Sequence, residues 1–518
     1  MTRASGAAHS GVLREAVAGD VRHFTSVLLG DVNSAIASGI LFEGLVTQLR
    51  SGEMIPALAD SMPELSEDGR RYTFRLRRGL KWSDGRPLTA RDVAFTWRLM
   101  WDADYAELKS PRRPELERHL EDIRVEDDET IVFCTRTPFG PFVTTHGTYG
   151  ILPEHVLGDM TGAELNDCDF DRAPTVANGL LRYAGRREGE EVVLERNPLY
   201  HGGPSRLERL RLLVHASHDE IADLLLAGEV DVGEIPPWRA EEIEQAPDLD
   251  LVEFDVPNFE FCLFQLDPER PQSELFRSVD VRRALNWGTD RDAIVRDVFC
   301  GHAEIAHSVQ PLTSWAHDPA VEPRYAYDPS RAERTLDAEG WLPGEDGVRR
   351  RDGRRFSFTL AYNGGAPLQQ RVAEQLRNDW ARIGVELLLG PLPFAQLLEQ
   401  MRYGREFEAL LMNFGVGADP EISNLWASRN RVTGAFNGQG FADDEIDRLL
   451  DEAAASHDRE ERRERYVRLQ RRMAELCPGV LLVYPRGLFV VNRRVRGTGF
   501  GSFNRYSVRP WLKDVEVA

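Results

Sequence analysis

The sequence predicts an α/β fold spread over more than one domain, and three observations carry that prediction. The chain has 518 residues, more than a single hydrophobic core ordinarily organises. A short apolar run at 207–214 is followed by a helical stretch at 217–226 and a second apolar run at 230–232. Strand, helix and strand at that spacing make a βαβ unit, which suggests a largely α/β domain. Finally, strict alternation of apolar and polar residues gives way to helical spacing within one stretch, residues 66–97.

In that stretch Tyr72, Phe74 and Leu76 fall on one face, and Arg71, Thr73, Arg75 and Arg77 on the other. This is the pattern of a half-buried strand. Asp68-Gly69 punctuates one end and Gly79 the other. Residues 80–82 read as a second short strand, stopped by the Ser83-Asp84-Gly85 turn, so that the two form a hairpin. Thr89 is a suitable N-cap, Asp92 places negative charge in the first turn, and Val93, Trp97 and Met100 recur at helical spacing.

This succession of residues resembles the peptide- and nickel-binding solute-binding proteins of bacterial ABC importers (extracellular solute-binding proteins, family 5). The strings that carry the resemblance are Ile55-Pro56-Ala57-Leu58-Ala59, Ser66-Glu67-Asp68-Gly69, Tyr72-Thr73-Phe74-Arg75-Leu76-Arg77, Lys81-Trp82-Ser83-Asp84-Gly85 and Leu88-Thr89-Ala90-Arg91-Asp92-Val93. Leu41-Phe42-Glu43-Gly44-Leu45, the aromatic turn 137–142, the helix start 151–156 and Glu191–Tyr200 extend it, so that it covers roughly 41–491. The resemblance implies a two-lobed clamshell of the periplasmic-binding-protein type (type II, cluster C). A first lobe would comprise 1–44, 172–265 and 488–518. An inserted α+β domain would occupy 45–171, and a second lobe 266–487. Two crossing strands near 261–266 and 482–488 would act as hinges. The partners implied are a small-molecule or short-peptide ligand and a membrane permease, with the protein itself a monomer.

Bulk properties bound the function. Apolar content of 42% and charged content of 29% are those of a soluble globular protein. A formal net charge of −21 argues against nucleic acid and anionic membrane surfaces as partners. The five cysteines, Cys134, Cys168, Cys262, Cys300 and Cys477, form no C-x-x-C pair, and their odd number leaves at least one free thiol. No apolar run reaches the roughly 18 residues that cross a bilayer. The N-terminal residues carry neither an apolar signal core nor a lipobox cysteine. Since members of the family are usually exported, the expectation is a removed leader and a periplasmic or cell-surface location, with a cytoplasmic one as the alternative.

Along the chain, Asn178-Gly179 reads as a turn requiring positive φ. The segment 259–266 is a continuous apolar strand. A strand at 356–362 precedes a helix at 370–383, and 407–414 is a further strand. Residues 443–453 and 459–476 are charged amphipathic helices, and two short strands at 480–484 and 488–491 carry the chain back.

The most informative loop lies at 410–426. Its strand ends in Gly415-Val416-Gly417, where glycine lets a backbone approach a partner closely, and Ala418-Asp419-Pro420-Glu421 follows. In the peptide-binding branch an Asp after such a sequence pairs with the ligand's α-ammonium, while neighbouring backbone groups pair with the peptide main chain. Asp419 occupies that position. Asp-Pro is also a common turn, so an Asx-turn is the competing reading. Asn413 and Val416 stand where oligopeptide binders carry a basic residue and a tryptophan, which points away from a clamp on a peptide carboxylate. Asp31 and Val32 belong to a turn that in the family approaches the ligand; an ordinary turn and N-cap is the alternative. Phe259, Glu260, Trp315, Asn363, Phe414, Trp426 and Asn437 are expected to face the cleft, as apolar walls with few polar anchors.

Enzyme signatures are missing: there is no G-x-S-x-G, H-E-x-x-H, P-loop or complete G-x-G-x-x-G. His215, His218 and Asp219 read as solvated surface rather than a metal cluster. No cofactor is expected. The nickel-binding relatives keep a metal-chelate ligand as the runner-up, with a peptide hydrolase behind it.

Overall fold

The computed structural model describes residues 11–49, 52–497 and 510–517. The expectation about the leader rests on residues 1–17, of which 1–10 lie outside that set. The chain forms two compact units, one of residues 1–254 with 487–518 and one of residues 255–486. Among the described residues no helix is long and apolar enough to cross a membrane.

In the first unit, Val12–Ala18 runs parallel to Arg209–His215 over seven residues and, on its other edge, parallel to Val232–Glu234. Glu191–Arg196 and Leu181–Arg187 extend the sheet antiparallel. The expected βαβ unit is present. Ser217 caps the helix His218–Leu226 by accepting from the Glu220 N–H, and Gly228 ends it at φ 70°. Ile221, Ala222 and Leu225 of this helix pack on Ala16 and Val490 beneath it.

A smaller four-stranded sheet within this unit is ordered Glu64–Leu65, Arg71–Arg75, Thr130–Thr135, Leu120–Val125. Tyr72, Phe74 and Leu76 are buried, as their alternation requires. Thr89 and Asp92 close a reciprocal capping box on Ala90–Trp101, whose Trp97 packs against Phe133 at 4.2 Å. The hairpin expected between 71–77 and 80–82 does not form. Arg71–Arg75 turns back at Asp68-Gly69 onto Glu64–Leu65 and pairs on its other edge with Thr130–Thr135, leaving Lys81 a lone bridge to Pro87. The edge that local pattern assigned to a neighbour is taken by a strand about sixty residues on.

Two of the family-specific strings meet here. The buried Glu43 accepts from Tyr200 Oη and contacts His201 Nε2, each at 2.6 Å, and its own N–H donates to Asn178 Oδ1 at 2.7 Å. Gly179 is not in the positive-φ region. Its glycine is required by proximity instead, because a Cβ there would stand 2.2 Å from the Ile40 carbonyl oxygen and 2.7 Å from Leu41 C.

The second unit holds a five-stranded core sheet ordered Glu386–Leu392, Ser357–Asn363, Ala409–Gly415, Asn258–Phe264 and the first half of Gly479–Asn492. The first three run parallel, and Asn258–Phe264 is antiparallel to both of its neighbours. Both faces are covered. Trp380, Phe358 and Trp341 pack on one, and Trp426, Tyr466 and Phe441 on the other. Strands buried on both sides read as continuous apolar runs, which is why 409–412 and 261–264 lack alternation.

The segment expected to close the first lobe at 265 lies in the second unit, because Asn258–Phe264 is in register with Ala409–Gly415. The two short strands expected at 480–484 and 488–491 are one strand, Gly479–Asn492. Beside the unit boundaries, the Arg486 guanidinium pairs with Asp255 and Glu304.

Gly179→Ala should lower stability by about 1–3 kcal/mol, the usual cost of forcing atoms into a filled space. Chemical denaturation of the variant beside the unmutated protein measures it. An unchanged midpoint would show that the 40–41 backbone yields freely.

Candidate functional site

Every parallel strand of the second unit ends on one edge of its sheet, at Asn363, Leu392 and Gly415. Asn258–Phe264, running the other way, begins there, with Asn258 opposite Gly415. The helix Pro367–Arg382 follows the Asn363-Gly364-Gly365 turn, and its N-terminus lies at the same edge without a side-chain cap. The carboxyl ends of parallel strands are where open α/β sheets bind ligands, since side chains and backbone are released from the sheet there.

The expected site residues divide between the two faces of this sheet. On the side of Trp380, Glu260 stands opposite Asn413 in the strand register, and Asn413 Nδ2 donates to Glu260 Oε1 at 2.9 Å. Asn413 is exposed while Glu260 is buried. Glu260 Oε2 is buried without a hydrogen-bond partner. Burial pushes this carboxyl up to about 7; the amides of Asn413 and Gln369 act weakly in the opposite direction. Gln369 Oε1 in turn accepts from the Asn363 N–H at 3.2 Å, and Asn363 Oδ1 accepts from the Gly365 N–H at 3.0 Å. Sequence reasoning missed Gln369. The strand–Gly-Gly–Pro–helix succession at 363–367 is the signal that would have found it.

The opposite face carries the aromatic members. Phe259 is fully buried against Phe261 and Phe414, with ring centroids 4.9 and 5.9 Å away, and Phe414 is half-buried. Trp426 is packed in the core beside Phe441. Asn437 is wholly buried, and its amide is spent on the backbone of Ala427 and Phe441. Neither therefore lines an open surface; both hold the layer beneath it.

The 415–421 loop is anchored by Val416 N–H to the Pro257 carbonyl at 2.7 Å and by Gln310 Nε2 to the Pro420 carbonyl at 2.8 Å. Between these anchors Gly417 is exposed, with open space where a Cβ would stand; a Cβ on Gly415 would meet Asn258 Oδ1 at 3.1 Å. Asp419 is buried. Its Oδ1 accepts from Arg462 Nη2 at 2.5 Å and from the Glu421 N–H at 3.1 Å, the second bond being an Asx-turn. Burial alone would lower the Arg462 pKa, but the Asp419 charge outweighs it and leaves the guanidinium raised. Arg462 also lies 5.3 Å from the ring centre of Trp315, which packs edge-on against Tyr466. Arg462 came from the run that the sequence marks only as a charged helix face.

In the first unit, Asp31 is the N-cap of Val32–Leu41. Its carboxylate accepts from Ser34 N–H at 2.9 Å and Ser34 Oγ at 2.7 Å. His215 contacts Glu220, and Asp219 accepts from Trp238 Nε1. Among the described residues no group of three or more His, Cys, Asp or Glu is placed to hold a metal. All five cysteines are unpaired.

This fold is found in solved solute-binding proteins. The oligopeptide-binding protein AppA of Bacillus subtilis, in complex with a nonapeptide, aligns with a TM-score of 0.85 and 23% identity, covering 98% of this chain and 99% of that one. NikZ from Campylobacter jejuni, in complex with Ni(L-His), aligns at 0.83 and 21%, again over 98% and 99%. Protein XP55 of Streptomyces lividans is 31% identical over 478 residues, 91% of this chain and 83% of that protein. Residues 53–434 match the family described as bacterial extracellular solute-binding proteins, family 5 middle. The chain belongs to the bacterial extracellular solute-binding proteins, family 5.

Two outcomes follow from these carboxylates. Glu260 has a folded pKa above its ordinary 4.5. The stability it confers is fully present below about 4.5 and is lost as pH rises through about 7, a change of about 3 kcal/mol. Melting curves from pH 5 to pH 8 should therefore favour Glu260→Gln over the unmutated protein increasingly as pH rises; parallel curves would contradict the buried, unpaired carboxyl. For Asp419→Asn, the Asx-turn survives but Arg462 is left buried without its partner, so stability should fall by about 3–5 kcal/mol. An unaltered melting temperature with lost ligand affinity would instead make Asp419 a ligand partner.

Proposed function

We propose that this protein is the substrate-binding component of an ABC importer, taking up a short peptide or another amino-acid-derived solute and delivering it to a membrane permease. The observation that carries the reading is the carboxyl edge of the second unit's sheet. There, exposed backbone at Gly415 and Gly417 adjoins the amides of Asn363 and Asn413, with the rings of Phe259 and Phe414 behind. Exposed glycine backbone beside a few amides and an apolar wall suits a ligand that is itself largely peptide main chain. Family membership and the oligopeptide-binding name of AppA support the same class.

In this reading Asn363, Asn413, Phe414, Gly415, Gly417, Glu260 and Trp315 serve the ligand directly. Asp419, Phe259, Trp426 and Asn437 hold the loop and its floor. The protein acts outside the cytoplasmic membrane, in the periplasm or at the cell surface, as a monomer, and it releases its ligand unaltered. NikZ motivates a nickel-chelate alternative through likeness of fold alone.

Native mass spectrometry of the purified protein, before and after exposure to a pool of di- to pentapeptides, tests this reading. Peptide adducts should appear while every free peptide mass stays unchanged. Time-dependent cleavage, abolished by a point mutation in this chain, would make it a hydrolase.

A further inference from the structure

Glu260 and Asp419 are the two buried carboxylates of the candidate site, and the structure treats them oppositely. Asp419 has Arg462 within hydrogen-bond distance and a backbone N–H besides. Glu260, 5% exposed, has one neutral amide on Oε1 and nothing on Oε2. Buried carboxylates are ordinarily paired or multiply hydrogen-bonded, because an unpaired one is costly to remove from water. The groups that act on this carboxyl are its burial and the neutral amides of Asn413 and Gln369; no charged side chain among the described residues contributes. Its position is also particular. It sits two register positions inside the carboxyl edge of the sheet, directly opposite the exposed Asn413 and near the start of Pro367–Arg382. A core acid with a purely structural role is paired by an internal cation and backbone, as Asp419 is by Arg462 and the Glu421 N–H.

We propose that Glu260 is the charge-selecting residue of this site, its unpartnered Oε2 receiving a cationic group of the bound solute, either an α-ammonium or a basic side chain. This rests on the solute-binding reading above and narrows it to ligands carrying positive charge. In the empty site the carboxyl, pushed up to about 7 by burial, keeps its proton only below that pH. When a cationic ligand enters, the proton leaves to solvent and the carboxylate pairs with the cation, flanked by the Asn413 and Gln369 amides. The pair is then charge-assisted in a water-poor setting, where such bonds are strongest.

Four probes separate the sources of charge: tri-alanine, N-acetyl-tri-alanine, N-acetyl-Ala-Arg-Ala and N-acetyl-Ala-citrulline-Ala. Isothermal titration of each into the unmutated protein and into Glu260→Gln should give two results. The charged member of at least one pair binds the unmutated protein about 30-fold or more tightly than its uncharged counterpart. In Glu260→Gln that difference collapses. The pair that responds identifies an ammonium or a guanidinium as the group held. At pH 6, titration in two buffers of different ionisation enthalpy should also show release of about one proton with the charged peptide only. That measurement needs no variant, so it decides the matter even if Glu260→Gln folds poorly. Equal binding of charged and uncharged peptides, or a difference that persists in Glu260→Gln, overturns the assignment and leaves the importer reading standing. If none of the four binds the unmutated protein, the peptide reading falls and the assignment falls with it.

Discussion

Burial of the second unit's sheet on both faces is the constraint on which the rest of its structure depends. A strand with a packed layer on each side has no room for polar side chains along its length. Polar chemistry is pushed to the strand ends, where the backbone leaves the ladder and side chains reach solvent. Asn363, Asn413 and Asn258 all stand at such ends, and the helix that follows Asn363 brings Gln369 to the same place. The site is thus a consequence of how the core is covered. Its members come from segments about a hundred and fifty residues apart because adjacent strands in the sheet are distant in sequence.

Alternation divides labour at that edge. Successive residues of Asn258–Phe264 point to opposite faces, so Phe259 joins the aromatic layer with Tyr466 and Trp426 while Glu260 joins the layer with Trp380. A slip of one residue in the pairing with Ala409–Gly415 would exchange them, placing the carboxyl among aromatic rings. The continuous apolar runs on both strands resist such a slip only weakly by themselves. The Glu260–Asn413 bond helps to fix that register, while Gly479, whose Cβ would collide with the Cys262 carbonyl at 2.2 Å, allows the close approach of the strand on the other edge.

Electrostatics then separates two acids of similar burial. Asp419 is charged and neutralised within the protein, which makes it part of the scaffold that shapes the 415–421 loop. Its link through Arg462 to Trp315 and Tyr466 ties that loop to the helix Arg459–Leu476. Glu260 has no such counter-charge among the described residues, and burial raises its pKa instead.

Local elements were legible in the sequence because local physics decides them. The alternation of Tyr72, Phe74 and Leu76, the Thr89 cap with Asp92 in its first turn, the Ser217 cap and the strand ending at Gly415 each depend on a few neighbouring residues. The resemblance of 41–491 likewise rested on strings that hold local structure, and it led to the family. What the tertiary structure alone decided depends on distant chain. Arg71–Arg75 pairs with Thr130–Thr135 instead of 80–82, and Gly179 is required by the 40–41 backbone rather than by its own φ. Asp419 finds its counter-charge forty-three residues away, and Glu260 finds none. Neither fate can be read from composition or spacing, because a buried charge is defined by everything packed around it.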